Sequence, residues 1–263
     1  MISLSQQSFD TQSERFSLML AHFVFSLGGS CREHSILCRV LDGRDLVEPR
    51  ATDLAILTFE ERAHYHAVYE NSKSGAIAVR TRAALRRMLA REIGGPPHLV
   101  PIRMDAHGKP HCPHPLATGL DFSVSHADDC SMIALGEADG LGVDVEKIIH
   151  EEPTDVELGI VFNQGEYRDW SRISSQEKRL KAFTQAWTIK DAALKAIGLG
   201  LDGSTHEITV RFDARGDAWP VLPSTRWVFE RINFCPCYAA SFVALLPDEE
   251  EVQAEEARDN MYA

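Results

Sequence analysis

The sequence predicts an α+β fold made of two similar halves side by side. Short alternating strand patterns and longer helical patterns recur in each half of the 263 residues, and no fixed-period repeat of solenoid type is present. With 44% hydrophobic and 25% charged residues, the chain has the composition of a globular protein large enough to bury a substantial core.

The elements follow in order. Residues 35–43 (SILCRVLDG) alternate apolar and polar side chains before a glycine turn, which predicts an opening strand. In residues 57–70 Thr58 stands three before Glu61, a capping-box spacing, and helical periodicity follows. Residues 74–92 are rich in Ala, Leu and Arg and end at Gly94-Gly95-Pro96-Pro97, so a second helix is predicted there. DAHGKPHCPHP then reads as turn and loop. Residues 120–148 read as two or three short strands: Phe122 and Val124 share one face, Ser123 and Ser125 the other, and Asp128-Asp129 breaks the run. A helical stretch over 156–171 precedes a long helix that Gly198 and Gly200 close. HEITVRFDARG, TRWVFERINF and CYAASFVALL supply the later strands, with Cys235-Pro236-Cys237 as a tight turn. The apolar run 16–27 is too short to span a bilayer and lacks a basic flank, so it reads as an extra amphipathic helix, with no signal peptide or membrane segment expected.

Charge narrows the function classes. The formal net charge is −12, but residues 248–263 hold seven acids against Arg258, leaving a body that is only mildly acidic. Arg80, Arg82, Arg86, Arg87 and Arg91 are the local exception, read either as a solvated helix face or as a basic surface. Without a long basic track, nucleic acid is not an expected partner. The six cysteines lack the dense spacing of a secreted disulfide scaffold, which points to a reducing, cytoplasmic setting.

The chemistry concentrates in two segments. In GVDVEK, Asp144 and Glu146 are two apart on a strand and project from one face. Alone, that pair is more often a solvated polar row. In FTQAWTIKDAALKAIGLGL, Phe183, Ala186, Trp187, Leu194 and Ile197 make an apolar stripe that Lys190 interrupts, while Asp191 and Lys195 share an adjacent face. A lysine in such a stripe either snorkels out or meets an anion. Carboxylates on a hard divalent ion and ammonium groups on phosphates would use this set together. Ser125 and His126 at a strand end, and Lys109 on the HGKP turn, add donors for a phosphorylated ligand. A zinc site from His107, His111, Cys112 and His114 lacks regular ligand spacing and reads as a polar loop.

Four ordered motifs, Gly108-Lys109-Pro110, Phe122 to His126, Leu141 to Glu146 and Trp187 to Leu201, resemble those of the Sfp-type 4'-phosphopantetheinyl transferases, over roughly residues 36–246. The resemblance implies two α+β halves related by a pseudo-twofold, with coenzyme A in the cleft between them. It implies an N-terminal extension (1–35), a first half (36–133), a second half with the metal and catalytic motifs (134–247) and an acidic tail (248–263). Asp144, Glu146 and Asp191 would hold one magnesium ion. Lys109, Ser125, His126 and Lys195 would contact coenzyme phosphates, Lys73 is a substitute for the 3'-phosphate contact, and Asp191 and Lys195 would act in catalysis. The expected reaction moves 4'-phosphopantetheine to a serine of an apo acyl or peptidyl carrier protein, the enzyme acting as a monomer. An acidic carrier would seek a local basic surface such as the arginine helix or Lys178, Arg179 and Lys181.

This chain departs from the family pattern at Asp191, where the family usually carries the longer Glu. That departure motivates an alternative, a coenzyme A-binding protein of the same fold without transfer activity. A metal-dependent nuclease would also use an Asp-x-Glu pair with lysines, and the missing basic track argues against it.

Overall fold

Alternation at Ile36, Cys38 and Val40 gives β3 (His34–Asp42) one fully buried face. In the computed structural model, which describes residues 3–6, 19–25, 34–43, 48–69, 72–200 and 204–248, β3 lies inside a five-stranded antiparallel sheet. Its order is β1 (Ser3–Gln6), β2 (Met19–Phe25), β3, β7 (Cys130–Glu137) and β6 (Leu120–Ala127). The amphipathic helix expected within 16–27 is therefore corrected where that run is described: Met19–Phe25 is a strand. Its backbone pairs along the free edge of β3, and Phe23 stacks on Phe242 at 5.0 Å between ring centroids.

Three helices follow, α1 (Ala51–Leu54), α2 (Phe59–Tyr69) and α3 (Lys73–Ile93). The capping box before α2 forms as expected, with Thr58 N–H donating to Glu61 at 2.9 Å and Glu61 N–H donating to Thr58 Oγ1 at 3.2 Å. Ser72 caps α3, and Gly94, at φ 77°, ends it. Ile77, Leu85, Met88 and Leu89 of α3 pack on the outer face of the sheet against Leu41, Phe122 and Ile133. The arginines of α3 are not a solvated face. Arg80 and Arg86 are buried, and Arg86 grips Glu61 while donating to the carbonyls of Pro97 and Val100. Arg82 also meets Glu61, and Arg87 pairs with Asp53 at 2.7 Å. Here one capping carboxylate is reused to bind α2 to α3. The turn expected over HGKP carries a small ribbon, β4 (Arg103–Met104) against β5 (Pro110–His111), closed by Asp105 accepting from the His107 and Lys109 N–H groups.

The second half begins with β8 (Gly140–Lys147) and continues through α4 (Asp155–Val161), α5 (Gln164–Ser171) and α6 (Gln176–Ala196). The single helical stretch expected over 156–171 is thus two helices. Each has its own capping box, Thr154 with Glu157 and Asn163 with Glu166, and the second box forces a new start after Phe162. A small ribbon of β9 (Val210–Phe212) and β10 (Ala218–Pro220) precedes the hairpin β11 (Trp227–Arg231) and β12 (Tyr238–Leu245). The second sheet has the order β11-β12-β8, all antiparallel.

Both halves follow one plan: a strand, a helix of 21 residues, then a hairpin whose last strand lies centrally. That plan is β3, α3, β6, β7 in the first half and β8, α6, β11, β12 in the second. The sheets face each other across a core that contains Ile36, Val40 and Met132 from one and Leu141, Val143 and Phe242 from the other. Helices α3 and α6 cover the outer faces. The division expected at 133/134 falls inside β7; on topology the halves meet at the turn after Glu137, since the hairpin of the first half runs to that residue.

The close seat of α6 on β8 gives a stability prediction. A Cβ on Gly142 would stand 1.7 Å from Ala192 O, whereas one on Gly159 in α4 would meet nothing within 4 Å. Gly142→Ala is expected to cost upwards of about 3 kcal/mol. Gly159→Ala is expected to be neutral or to add about 0.4–1 kcal/mol. Urea unfolding of the two variants, monitored by circular dichroism, checks the contrast.

Candidate active site

Strand β8 places Gly140, Gly142, Asp144 and Glu146 on one face and Leu141, Val143 and Val145 on the other. The apolar face closes the core between the sheets. The glycine face receives α6, whose Ala192 and Ala196 carbonyls lie where glycine Cβ atoms would be. Lys195, one turn after Asp191 on α6, thereby reaches Asp144 and bridges the two aspartates.

The resulting network is tight. Lys195 Nζ stands 2.9 Å from Asp144 Oδ1 and 2.8 Å from Asp191 Oδ2, and it donates to the Val143 carbonyl at 3.1 Å. Ser125 Oγ donates to Asp144 Oδ1 at 2.6 Å and accepts from Val145 N–H at 3.3 Å. Asp144 Oδ2 is buried and has no hydrogen-bond partner. Glu146 is partly buried, and the neighbouring Trp187 side chain favours its charged form. Burial drives the Asp144 carboxyl up to about 7, against the pull of Lys195, and the neighbouring charges of Asp191 and Glu146 push the same way. Burial raises Glu146 too, again opposed by Lys195. Lys195, which burial alone would lower, is held above its ordinary value by Asp144 and Asp191.

Ser125 belongs to a seam between the halves. β6 and β8 run side by side in the same direction, and side chains of β6 take the place of backbone acceptors. Asp121 Oδ2 accepts from Leu141 N–H at 2.6 Å, Ser123 Oγ from Val143 N–H at 3.1 Å, and Ser125 from Val145 N–H. Lys109 locks the start of the seam, with Nζ 2.6 Å from Asp121 Oδ2 and 3.3 Å from the Leu141 carbonyl.

Of the residues singled out from the sequence, Asp144, Glu146, Asp191, Lys195 and Ser125 come together. Lys109 is committed to Asp121 and joins Lys195, Phe122 and Gly198 around a cavity of about 300 Å3. His126 falls on the opposite face of β6 from Ser125, as strand alternation requires. There it lines a cavity of about 510 Å3 with His64, Tyr65, Arg82, Met104 and Pro110, and burial lowers its pKa. The Lys73 side chain lies outside the described residues. Sequence reasoning missed Asp121 and Glu166. Asp121 was readable as the next member of the Ser123, Ser125 alternation, and Glu166 as the partner of Asn163 in a capping box.

Lys190 is fully buried, and its anion is internal: Nζ stands 2.8 Å from Glu166 Oε2. Among the described residues no three His, Cys, Asp or Glu side chains converge into a preformed metal cage. The Lys195 ammonium is instead drawn between Asp144 and Asp191. The all-oxygen donor set and the unpaired buried Asp144 Oδ2 nevertheless fit a hard divalent cation.

Comparisons with known proteins identify the family. A profile of the 4'-phosphopantetheinyl transferase superfamily matches residues 140–242, the span that contains β8 and α6. The phosphopantetheinyl transferase HetI of Nostoc is 30% identical over 174 residues, 66% of this chain and 67% of that one. A putative 4'-phosphopantetheinyl transferase of Synechocystis is 29% identical over 154 residues, 59% of this chain and 62% of the relative. The 4'-phosphopantetheinyl transferase gsp of Aneurinibacillus migulanus is 25% identical, over 54% of this chain and 56% of its own. This chain therefore belongs to the 4'-phosphopantetheinyl transferase superfamily. The matches span 62% and 56% of the lengths of the Synechocystis and Aneurinibacillus relatives. A holo-(acyl-carrier-protein) synthase from Bacillus anthracis, solved with CoA (3',5'-ADP), superposes with a TM-score of 0.34 at 21% identity, over 41% of this chain and 96% of that one.

The seam makes Ser125→Ala informative. The change leaves the Val145 N–H without an acceptor and Asp144 Oδ1 without one of its donors. Loss of about 1–3 kcal/mol in urea unfolding at pH 7 is expected.

Proposed function

We propose that the protein transfers the 4'-phosphopantetheine group of coenzyme A to a serine hydroxyl of an apo acyl or peptidyl carrier protein, with magnesium as cofactor. The observation that carries this reading is the buried Asp144, with one oxygen unpaired, meeting Lys195 and Asp191 of α6. Asp144, Glu146 and Asp191 would hold the ion, which supplies positive charge for the coenzyme diphosphate when bound.

The chain's own residues do the rest. Ser125 and the Val145 N–H fix the Asp144 carboxylate. Lys195, a quarter exposed where Lys190 is sealed, can turn from its carboxylates to a diphosphate oxygen. The cavity beside His126 has room for the nucleotide end of the coenzyme, with His126 and Arg82 as cationic or donor groups on its wall. The carrier serine oxygen attacks the β-phosphorus, and the bond from that phosphorus to the bridging oxygen breaks. Adenosine 3',5'-bisphosphate leaves, and the serine proton passes to a carboxylate, for which Asp191 is the candidate. Both halves act as one unit in this reading, because the seam from Asp121 to Ser125 holds β8 in register.

The setting is proposed as cytoplasmic and the enzyme as a monomer. Cys38, Cys112, Cys130, Cys235 and Cys237 form no disulfide, which supports a reducing compartment. No helix among the described residues is long and apolar enough to cross a membrane. For the carrier surface, Lys178 is the better candidate from its cluster. Arg179 is committed to Glu152 and to the Ile173 carbonyl, and Lys181 to Asp217.

Intact-mass measurement of an apo-carrier incubated with coenzyme A and magnesium tests the proposal; a gain of one phosphopantetheine is the expected result. Asp144→Ala should lower kcat by about 10²–10³-fold or more. Asp191→Glu, which restores the family's longer arm, should keep or raise it. Coenzyme binding without carrier modification would instead favour the binding-protein reading.

A further inference from the structure

Helix α6 carries a second buried charge that the transfer reading leaves unused. Lys190 is fully buried, and Glu166, its partner at the start of α5, is nearly so. Glu166 also accepts from the N–H of Asn163, which caps α5, and through its other oxygen from the N–H of Val210 in β9. One carboxylate thus ties α6, α5 and β9 together. Two buried charges are costly to desolvate, and apolar side chains of similar volume often serve stability as well or better. Retention of such a pair needs another account, and setting a register is the best attested.

The position of Lys190 supplies that account. It precedes Asp191 directly and stands five residues before Lys195 on the same helix. The surface of α6 facing β8 near the site is alanine against glycine, which sets how closely the helix approaches but offers few side chains to resist rotation. Thr184, Gln185 and Thr188 pin the helix further toward its start, to the Ile149 N–H, the Ala218 N–H and Ser241. Lys195 would have to let go of its carboxylates when a diphosphate arrives. That leaves Lys190 as the fixed polar pin nearest Asp191, beside the apolar packing of Ile189. A rotation of α6 by about 20° would sweep a group at ~5.5 Å from its axis through about 2 Å, far beyond the ~0.5 Å tolerance of a catalytic constellation.

We infer that Glu166 and Lys190 are positioning residues that hold the rotation of α6, and with it the presentation of Asp191 and Lys195 to Asp144. This rests on the proposed transfer reading. Neither residue touches the reacting atoms; both act through the helix.

Two variants test it. Glu166→Asp keeps the charge but shortens the arm that reaches Lys190 by one methylene. The double variant Glu166→Gln, Lys190→Met removes both charges while keeping the volume. For each, circular dichroism and thermal melting establish that the protein is folded. The kcat and KM values for coenzyme A are then measured well below the melting temperature, with magnesium affinity by calorimetry as a readout independent of turnover. Positioning predicts a kcat lower by about 10–100-fold, weaker magnesium binding and a KM for coenzyme A within about threefold, all in folded protein. A folded variant of either kind with wild-type kcat and wild-type magnesium affinity overturns the inference, and should the double variant not fold, Glu166→Asp decides. If the wild type itself transfers nothing, the transfer reading fails, and the magnesium arm alone judges positioning.

Discussion

The absence of a Cβ at two positions of one strand is the constraint on which the site depends. Gly140 and Gly142 let the backbone of α6 rest directly on β8, with Ala192 and Ala196 carbonyls in the space that side chains would fill. With the helix so close, a side chain of ordinary length on Lys195 spans to Asp144 and joins it to Asp191. A larger residue at 142 would push α6 outward, and the Lys195 bonds to β8, 2.9 Å to Asp144 and 3.1 Å to the Val143 carbonyl, would be lost together. Packing and chemistry are therefore one problem here: the alternation that puts glycines under the helix puts Asp144 and Glu146 on the same face.

The seam between β6 and β8 extends this logic to the two halves. Had β6 offered backbone carbonyls to β8, the two sheets would have fused and the face of β8 would have been set by the ladder alone. Asp121, Ser123 and Ser125 accept the β8 N–H groups with side-chain oxygens instead. The buried N–H groups are satisfied as they must be, and the last oxygen in the row is free to donate its own proton to Asp144. A structural role for Ser125 thus grades into a functional one, through the same hydroxyl.

Much of this was legible in the sequence because alternation and capping are local. The strand face shared by Asp144 and Glu146, the Thr58 and Glu61 capping box, and the neighbouring pair Asp191 and Lys195 all follow from spacing alone. What stayed hidden depends on distant partners. Met19–Phe25 reads as an amphipathic helix until the open edge of β3 is there to pair with it. The arginines of α3 read as surface until Glu61 and the Pro97 and Val100 carbonyls are found waiting for Arg86. Ser125 and His126 read as one phosphate-binding pair, yet adjacent strand residues point to opposite faces, and only the tertiary structure assigns one face to Asp144 and the other to the cavity under α2. The anion that meets Lys190 lies 24 residues earlier, in a helix whose separate existence was not read.

Two lysines of one helix separate the structural from the chemical use of a buried cation. Lys190 has 0% side-chain exposure and Lys195 25%, and both face carboxylates at hydrogen-bond distance. Around Lys190 the accounts close: each Glu166 oxygen has donors, and neither the ammonium nor the carboxylate can be reached from solvent. Around Lys195 they do not. One ammonium faces two aspartates, a third acid lies two residues along β8, and Asp144 keeps an oxygen with no donor. Burial first, and then the neighbouring negative charge, raises the pKa values of Asp144 and Glu146 unless more positive charge enters. A closed pair has nothing to gain from a visitor, whereas an open one is stabilised by any cation that reaches it, and that difference, set by exposure and donor count, makes Lys195 and its acids the responsive part of α6.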